Sequence, residues 1–288
     1  MQIGVCGVGN VGGAVLENLT NSPEIVENNG GVRIEVLQVG ARKGKAVVPY
    51  DVKVTSNLMD VASNPDIDVF VELIGGCELA KDLVIESIKN GKNIVTANKA
   101  LIATYGDELF QLAKDHGVQI GFEAWVAGGT PVIKALREGL VANKVSWFAG
   151  ILNGTTNFIL SKMSDDQFSF DDALKEAQDL GLAEADPTMD VDGTDAAQKA
   201  SILSALAFNT PFDFKSVSYG GIESVSSEDI LYTEQLGYSI KHIAYGSIDG
   251  NEVNISAYPT LVSKDQLLSQ VGQQMNALEI YCEGSGST

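Results

Sequence analysis

The opening of the chain, MQIGVCGVGNVGGAVLENL, is the feature that most restricts its fold. A short apolar run, Gln2 to Cys6, leads into Gly7, Gly9 and Gly12, which have the spacing G-x-G-x-x-G. An apolar pattern of helical period follows, so the motif has the strand–turn–helix context of dinucleotide-binding folds. Gly7 permits the tight turn, Gly9 lets a pyrophosphate approach the backbone, and Gly12 lets the helix pack closely on the strand.

The start of the same helix offers unpaired backbone N–H groups, which suit phosphate oxygens. We therefore predict a dinucleotide site at this turn, and the alternative is a purely structural glycine turn. The predicted cofactor-binding residues of this segment are Gly7, Gly9, Asn10, Val11 and Gly12.

Strand-like and helix-like segments alternate through the rest of the first half. Strand patterns are RIEVLQVGA, DIDVFVELIGG, KNIVTAN and VQIGFEA, and helix patterns are ELAKDLVIESIKNG and KALIATYGDELFQLAKDHG. This alternation predicts an α/β fold with a doubly wound parallel sheet of the Rossmann type. Ligands bind at the carboxyl ends of such strands, so we also expect Gly75, Thr96 and Lys99 at the cofactor site.

The end of the second strand, VGARKGK, bears on the choice of cofactor. NAD sites usually have an acid at this point for the ribose 2′-hydroxyl, but Glu35 lies too early in the strand. Arg42, Lys43 and Lys45 form a basic group that suits a 2′-phosphate. We therefore expect NADP, with NAD as the other possibility, and the alternative for this segment is an ordinary solvated loop.

The pattern changes after about residue 129. We predict a dinucleotide-binding domain over residues 1–129 and a substrate-binding, catalytic and dimerisation domain of α+β type over residues 130–288. In the second domain, KVSWFAGILNGTTNFILSKM runs from a strand into a helix through Asn153, Gly154, Thr155 and Thr156. This junction offers N–H groups, an amide and hydroxyls to a carboxylate or phosphate, although a plain helix N-cap has the same composition.

The stretch EADPTMDVDGTDAAQKASILSALAF places an acid and a lysine where a core is expected. Asp195 and Lys199 are four residues apart and share a helical face with Ile202 and Leu206. An EF-hand loop centred on Gly193 would put a lysine at its last ligand position, so we do not expect calcium. Burying an unpaired ammonium costs several kcal/mol, which favours proton or substrate chemistry over a structural ion pair.

Charge and cysteine content exclude several classes of protein. The formal net charge of −19 argues against a nucleic-acid partner. Cys6, Cys77 and Cys282 are far apart and form no CxxC motif, so we expect neither a zinc site nor disulfides, but reduced thiols in the cytoplasm. The sequence has no signal-peptide pattern and no apolar run that could span a membrane.

Four motifs together resemble homoserine dehydrogenases: IGVCGVGNVGG, VTANKALIA, GILNGTTNFILSKM and LGLAEADPTMDVDGTDAAQKASILSALAF. The resemblance covers nearly the whole chain. It implies reversible reduction of aspartate 4-semialdehyde to homoserine by NAD(P)H, a step toward threonine, methionine and isoleucine. It also implies a homodimer formed by the second domain.

The resemblance also implies roles for single residues. Lys199 would transfer a proton, with Asp195 beside it, and Lys99 would lie between cofactor and substrate. Gly181 would lie against the cofactor. The substrate-binding residues would be Glu184, Asp190, Asp195, Gly154 and Thr155. A monovalent cation such as sodium would be held by Glu123, Val126, Gly128 and Thr130.

Other functions stay open at this point. They are another amino-acid dehydrogenase and a non-catalytic NADP-binding sensor with the same fold. Aspartate-semialdehyde dehydrogenase is disfavoured because it needs a nucleophilic cysteine in a cleft. Members of the resembled family usually continue past the equivalent of NALEIYCEGSG into a glycine-rich segment and a helix, and many carry a threonine-sensing domain. We therefore expect this sequence to be shorter than the usual member.

Overall fold

The computed structural model describes residues 1–41 and 52–288. Its contacts divide the chain into two compact units, Met1–Phe122 and Glu123–Thr288, each with its own sheet. The residue pattern changes after residue 129 and predicts a boundary there. In the structure the boundary follows Phe122, and the carboxylate of Glu123 accepts hydrogen bonds from backbone N–H groups of the second unit.

The first unit is a parallel α/β sheet, as predicted. Its strands have the order β3-β2-β1-β4-β5-β6, and all five pairings are parallel. The strands are β1 (Gln2–Cys6), β2 (Glu35–Gly40), β3 (Lys53–Thr55), β4 (Val69–Glu72), β5 (Asn93–Thr96) and β6 (Ile120–Gly121). The helices are α1 (Asn10–Asn21), α2 (Pro23–Gly30), α3 (Met59–Ala62), α4 (Glu78–Lys89) and α5 (Lys99–Asp115).

Apolar strand residues form the core under α1. Ile3, Val5, Val39 and Val71 are buried against Leu16 of that helix. Each fully buried side chain of this size contributes about 1.5–3 kcal/mol through removal of apolar surface from water. The core therefore holds the glycine turn between β1 and α1 on a rigid base.

The second unit is a mixed α+β structure. Its helices are α6 (Val132–Lys134), α7 (Gly154–Asp165), α8 (Phe170–Asp179), α9 (Thr188–Val191), α10 (Thr194–Phe208) and α11 (Ser227–Gln235). Its strands are β7 (Val145–Ile151), β8 (Ser218–Tyr219), β9 (Tyr238–Asp249), β10 (Glu252–Ser263), β11 (Ala277–Cys282) and β12 (Gly286–Ser287). Single 3₁₀ turns cover Glu123–Trp125, Phe214–Ser216 and Leu267–Gln270, and a π turn covers Ala135–Gly139.

The second sheet has the order β12-β11-β7-β9-β10-β8 and is antiparallel except for the β8–β10 pair. Helix α10 packs on one face, against β9 and β10. The opposite face carries Trp147, Tyr245 and Tyr281, and the rings of Trp147 and Tyr281 are stacked with centroids 5.6 Å apart. Both tyrosines are more than a third exposed.

Among the described residues, no helix combines the length and the apolar character needed to span a bilayer.

Candidate functional site

The three motif glycines of the first unit lie in three different surroundings. Gly7 has φ +100°, and a Cβ on it would collide with the carbonyl oxygen of Leu73. A Cβ on Gly12 would collide with the carbonyl oxygen of Gly7, so the helix approaches the strand as closely as a glycine permits. The space around the Cβ position of Gly9 is open to 4 Å, which leaves room for a ligand.

The start of α1 is suited to binding an anion. Its N-cap is Gly9, no side chain caps it, and its first turn contains no acid. The N–H groups at the start of a helix carry a partial positive charge, so this end favours phosphate oxygens.

A cleft of about 470 Å³ lies at the carboxyl ends of the neighbouring strands. Its walls include the backbone of Gly7, Gly9, Gly40 and Gly75 and the side chains of Leu58 and Leu73. Glycine backbone suits close contact with a phosphate, and leucine side chains suit a flat ring. The cleft, the open helix start and the glycine turn together fit a dinucleotide.

Arg42, Lys43 and Lys45, the predicted readers of a 2′-phosphate, lie outside the described residues. The strand that leads to them, β2, ends at Gly40, which lines the cleft.

Lys99 is the first residue of α5, and two residues separate it from the end of β5. The adjacent Asn98 caps this helix, because its Oδ1 accepts a hydrogen bond from Leu101 N at 3.1 Å. Thr96 is buried, and its hydroxyl donates to Glu72 Oε2 at 2.6 Å. Thr96 is a predicted cofactor residue, and its hydroxyl therefore donates its hydrogen to another side chain of the protein.

In the second unit, α10 carries the predicted acid and lysine inward. Lys199 Nζ lies 2.5 Å from Asp195 Oδ2, and it donates a hydrogen bond to the carbonyl oxygen of Leu152 at 2.6 Å. The two side chains are only 12% and 9% exposed. The ammonium is therefore held in place by a carboxylate and a carbonyl.

Asn153 joins this pair to a second acid, a role that sequence reasoning missed. Its Nδ2 donates to Asp190 Oδ1 at 2.7 Å and to Asp195 Oδ2 at 2.9 Å. Its Oδ1 accepts from Thr156 N at 2.8 Å, which caps α7. One amide therefore fixes two carboxylates and a helix start. The signal in the sequence is an N-cap asparagine, whose amide hydrogens stay available for other acceptors.

The other predicted substrate residues lie around the start of α7. The Thr155 hydroxyl donates to the carbonyl oxygen of Leu182 at 2.8 Å, which ties α7 to the turn after α8. That turn contains Gly181, with φ +72°, and the exposed Glu184. Gly154 approaches the backbone of Gln274 so closely that its Cβ position would lie 2.8 Å from the Gln274 carbonyl oxygen.

The predicted cation loop has an unusual backbone. Ala127 and Gly128 have φ of 59° and 57°, and Ala127 is buried. Both carboxylate oxygens of Glu123 accept backbone hydrogen bonds, from Ile133 N at 2.8 Å and Lys134 N at 2.9 Å. Over the described part of the chain, no three His, Cys, Asp or Glu side chains are grouped to hold a metal ion.

The cysteines differ in their access to solvent. Cys6 and Cys282 are fully buried, whereas Cys77 is partly exposed next to Gly76, and all three are free thiols. Burial, reinforced by the nearby charge of Glu72, raises the pKa of Cys6 to about 12. Cys6 therefore remains a protonated, unreactive thiol at neutral pH.

Comparison with known proteins gives a consistent result. A family model for homoserine dehydrogenase matches residues 131–288, and a model for the homoserine dehydrogenase NAD binding domain matches residues 7–123. The chain is 47% identical over 289 residues to a homoserine dehydrogenase of Pseudomonas aeruginosa and 40% identical over 292 residues to that of Bacillus subtilis. Each alignment covers 100% of this chain and 67% of the relative.

Solved structures give the same picture. A homoserine dehydrogenase from Thiobacillus denitrificans superposes with a TM-score of 0.95 at 46% identity, over 100% of this chain and 67% of that one. A Staphylococcus aureus homoserine dehydrogenase has a TM-score of 0.86 at 37% identity, over 100% and 69%. A hyperthermophilic archaeal homoserine dehydrogenase in complex with NADPH has a TM-score of 0.81 at 28% identity, over 100% and 89%.

Proposed function

Because the chain belongs to the homoserine dehydrogenase family, we propose that it catalyses the reversible NAD(P)H-dependent reduction of aspartate 4-semialdehyde to homoserine in amino-acid biosynthesis. The observation that carries the proposal is the cluster in which Asn153 joins Asp190 to the buried Asp195–Lys199 pair. This cluster combines the two things that the substrate needs, acids for an ammonium group and a lysine for a reacting oxygen.

The substrate ammonium is bound by carboxylates. We assign this contact to Glu184, Asp190 and Asp195. Glu184 is exposed and thus accessible to a ligand, and Asn153 prevents the other two carboxylates from turning away. In a partly desolvated site, opposite charges attract more strongly than in water.

Two lysine side chains are assigned to the reacting carbonyl group of the substrate. When bound, the reduced nicotinamide supplies the hydride that adds to the aldehyde carbon. Lys199 donates a proton to the carbonyl oxygen as negative charge develops there, and the lysine is kept charged and oriented by Asp195. Lys99, at the start of α5, adds positive charge on the cofactor side of the reaction.

The direct test of the proposal is an assay of homoserine oxidation with NADP and with NAD. We expect homoserine-dependent reduction of the cofactor and no such reduction with amino acids that lack the hydroxyl group. A protein that binds NADPH but never turns over homoserine would be a sensor with the same fold, and turnover of a different amino acid would reassign the substrate.

The cofactor is assigned to the first unit, through Gly7, Gly9, Asn10, Val11, Gly12 and Gly75, with Arg42 and Lys43 for the 2′-phosphate. Arg42→Ala is then expected to weaken NADP(H) binding about tenfold or more, the scale of one charge-assisted hydrogen bond, and to change NAD(H) binding far less. Dissociation constants for both cofactors measure this difference. Equal losses for both would mean that Arg42 does not contact the 2′-phosphate.

A second variant tests the ammonium site. Glu184→Gln removes the charge but keeps the shape, so we expect KM for homoserine to rise about tenfold while NADPH affinity stays near the parent value. Glu223→Gln, another exposed glutamate of the same unit, is the matched control and should change neither value. Loss of NADPH affinity with an unchanged KM would contradict the assignment.

We also propose a homodimer formed by the second unit. The support is the sheet face opposite α10, where Trp147, Tyr245 and Tyr281 present aromatic surface to solvent. Aromatic residues are enriched at protein interfaces.

A monovalent cation such as sodium is proposed for the loop with Glu123, Val126, Gly128 and Thr130. The support for this proposal is the match of these residues to the monovalent-cation site of the family. The free cysteines fit the cytoplasmic location that we propose.

A further inference from the structure

Glu72, the last residue of β4, is a carboxylate in the interior of the first unit. It is fully buried, and in the sheet it lies between Cys6, the last residue of β1, and Thr96, the last residue of β5. Acidic side chains are seldom fully buried unless they are paired or hydrogen-bonded. Its place at the carboxyl ends of the strands puts it beneath the edge where cofactors bind.

The two oxygens of Glu72 have different partners. Oε2 accepts a hydrogen bond from the hydroxyl of Thr96 at 2.6 Å, and Oε1 accepts one from the backbone N–H of Ile74 at 2.8 Å. Both partners are donors, so a carboxylate satisfies both at once. A glutamine would direct its NH₂ group at one of these donors.

The hydrogen bonds continue from Thr96 toward Lys99. The Thr96 oxygen accepts from the backbone N–H of Asn98 at 3.0 Å. A hydroxyl has one hydrogen, so donation to Glu72 leaves its lone pairs for Asn98. The side chain of Asn98 then donates to the carbonyl oxygen of Gly76 at 2.5 Å and caps α5 at Leu101.

Lys99 follows Asn98 directly, and Gly76 belongs to the glycine turn after β4. The hydrogen-bonded series from Glu72 through Thr96 to Asn98 therefore connects the glycine turn of the cofactor site with the lysine assigned to the reaction. Without the Thr96 hydroxyl, Glu72 Oε2 would lose its donor and the Asn98 N–H would lose its acceptor.

We propose that Glu72 is a positioning residue that fixes Lys99 and the Gly75–Gly76 turn through Thr96 and Asn98. The effect on catalysis rests on the proposed function, whereas the effect on NADPH affinity rests only on the assignment of the cofactor to the glycine turn. A purely structural role would alter stability without altering the use of bound substrates.

The experiment combines Glu72→Gln, Thr96→Val and the double variant, with kcat, KM for homoserine, NADPH affinity and Tm measured for each. We expect each single variant to lower kcat about 10- to 100-fold, the scale of one unsatisfied buried group, with a much smaller change in KM. NADPH affinity should weaken severalfold. The double variant should be no worse than the worse single variant, because both changes interrupt one series of contacts.

Two further variants serve as controls. Thr96→Ser keeps the hydroxyl and should stay within about threefold of the parent kcat. Ser87→Ala removes a hydroxyl that is equally buried in the same unit and that has no hydrogen-bond partner among the residues the structure describes, and it should leave kcat and NADPH affinity unchanged.

The proposal is overturned if Glu72→Gln or Thr96→Val lowers Tm but keeps the parent kcat and NADPH affinity, or if their effects multiply in the double variant. If Glu72→Gln does not fold, the comparison of Thr96→Val with Thr96→Ser decides the question. If the parent does not turn over homoserine, the proposed function fails, and NADPH affinity still tests the positioning role. Unchanged affinity in Glu72→Gln and Thr96→Val would then overturn it.

Discussion

Lys199→Met is expected to fold and to bind NADPH while its turnover falls about 10²–10⁴-fold, the usual scale of general acid–base catalysis. Methionine keeps the length of the lysine stem and removes the ammonium that lies between Asp195 and the Leu152 carbonyl. The proposed proton donor at the reacting oxygen is then lost, whereas the residues of the first unit that are proposed to bind the cofactor are untouched. Turnover, NADPH affinity and Tm of the variant test this expectation.

A matched control exists in the same unit. Lys162 forms an ion pair with Asp166, which has the same four-residue spacing, and its side chain is 18% exposed. Lys162→Met should lower Tm slightly and leave turnover near the parent value. If Lys199→Met behaves in the same way, with near-normal turnover, the Asp195–Lys199 pair is a structural ion pair and not part of the catalytic machinery.

Lys99→Met is expected to lower turnover about 10²–10³-fold, the scale of losing one group that stabilises a developing oxyanion. The start of α5 should stay intact, because Asn98 and not Lys99 forms its cap. The measurements are kcat and NADPH affinity, and Lys81→Met, a lysine paired with Glu108 in the same unit, is the control.

The double variant Lys99→Met/Lys199→Met shows whether the two lysines contribute to turnover jointly or independently. If both act on the same oxygen in the same step, the double variant should lose far less than the product of the two single losses. A full product of losses would mean that the two lysines act independently. Normal turnover of Lys99→Met would remove this residue from the reaction.

Local sequence was enough to predict the first sheet, its glycine turn and the family, all of which are confirmed. The glycine pattern is readable because its residues lie close together in the sequence, between one strand and the next helix. The contact of Gly12 is equally local, since a Cβ there would collide with the Gly7 carbonyl oxygen, whereas a Cβ on Gly7 would collide with Leu73 of a distant segment. The inward direction of Asp195 and Lys199 could also be predicted, since the helical period places both on the apolar face of one helix.

Contacts between distant segments could not be predicted in this way. Glu72 looked like one more residue of an apolar strand, and its role depends on the register between β4 and β5. The bridge from Asn153 to Asp190 and Asp195 spans about forty residues of sequence and depends on how α7, α9 and α10 pack. The roles assigned to individual site residues, including Glu184 and Lys99, stay predictions that the variants above test.

The unequal burial of the three cysteines determines which of them reacts with thiol reagents. The thiolate of an accessible cysteine is the nucleophile that attacks an alkylating agent. Cys6 is sealed in the sheet with its pKa raised to about 12, and Cys282 has no accessible surface. Modification of the folded chain is therefore directed to Cys77, which precedes α4 and follows the glycine turn of the cofactor site. A fluorescent label can thus be placed at one point beside the proposed nucleotide site without any engineering of the other two cysteines.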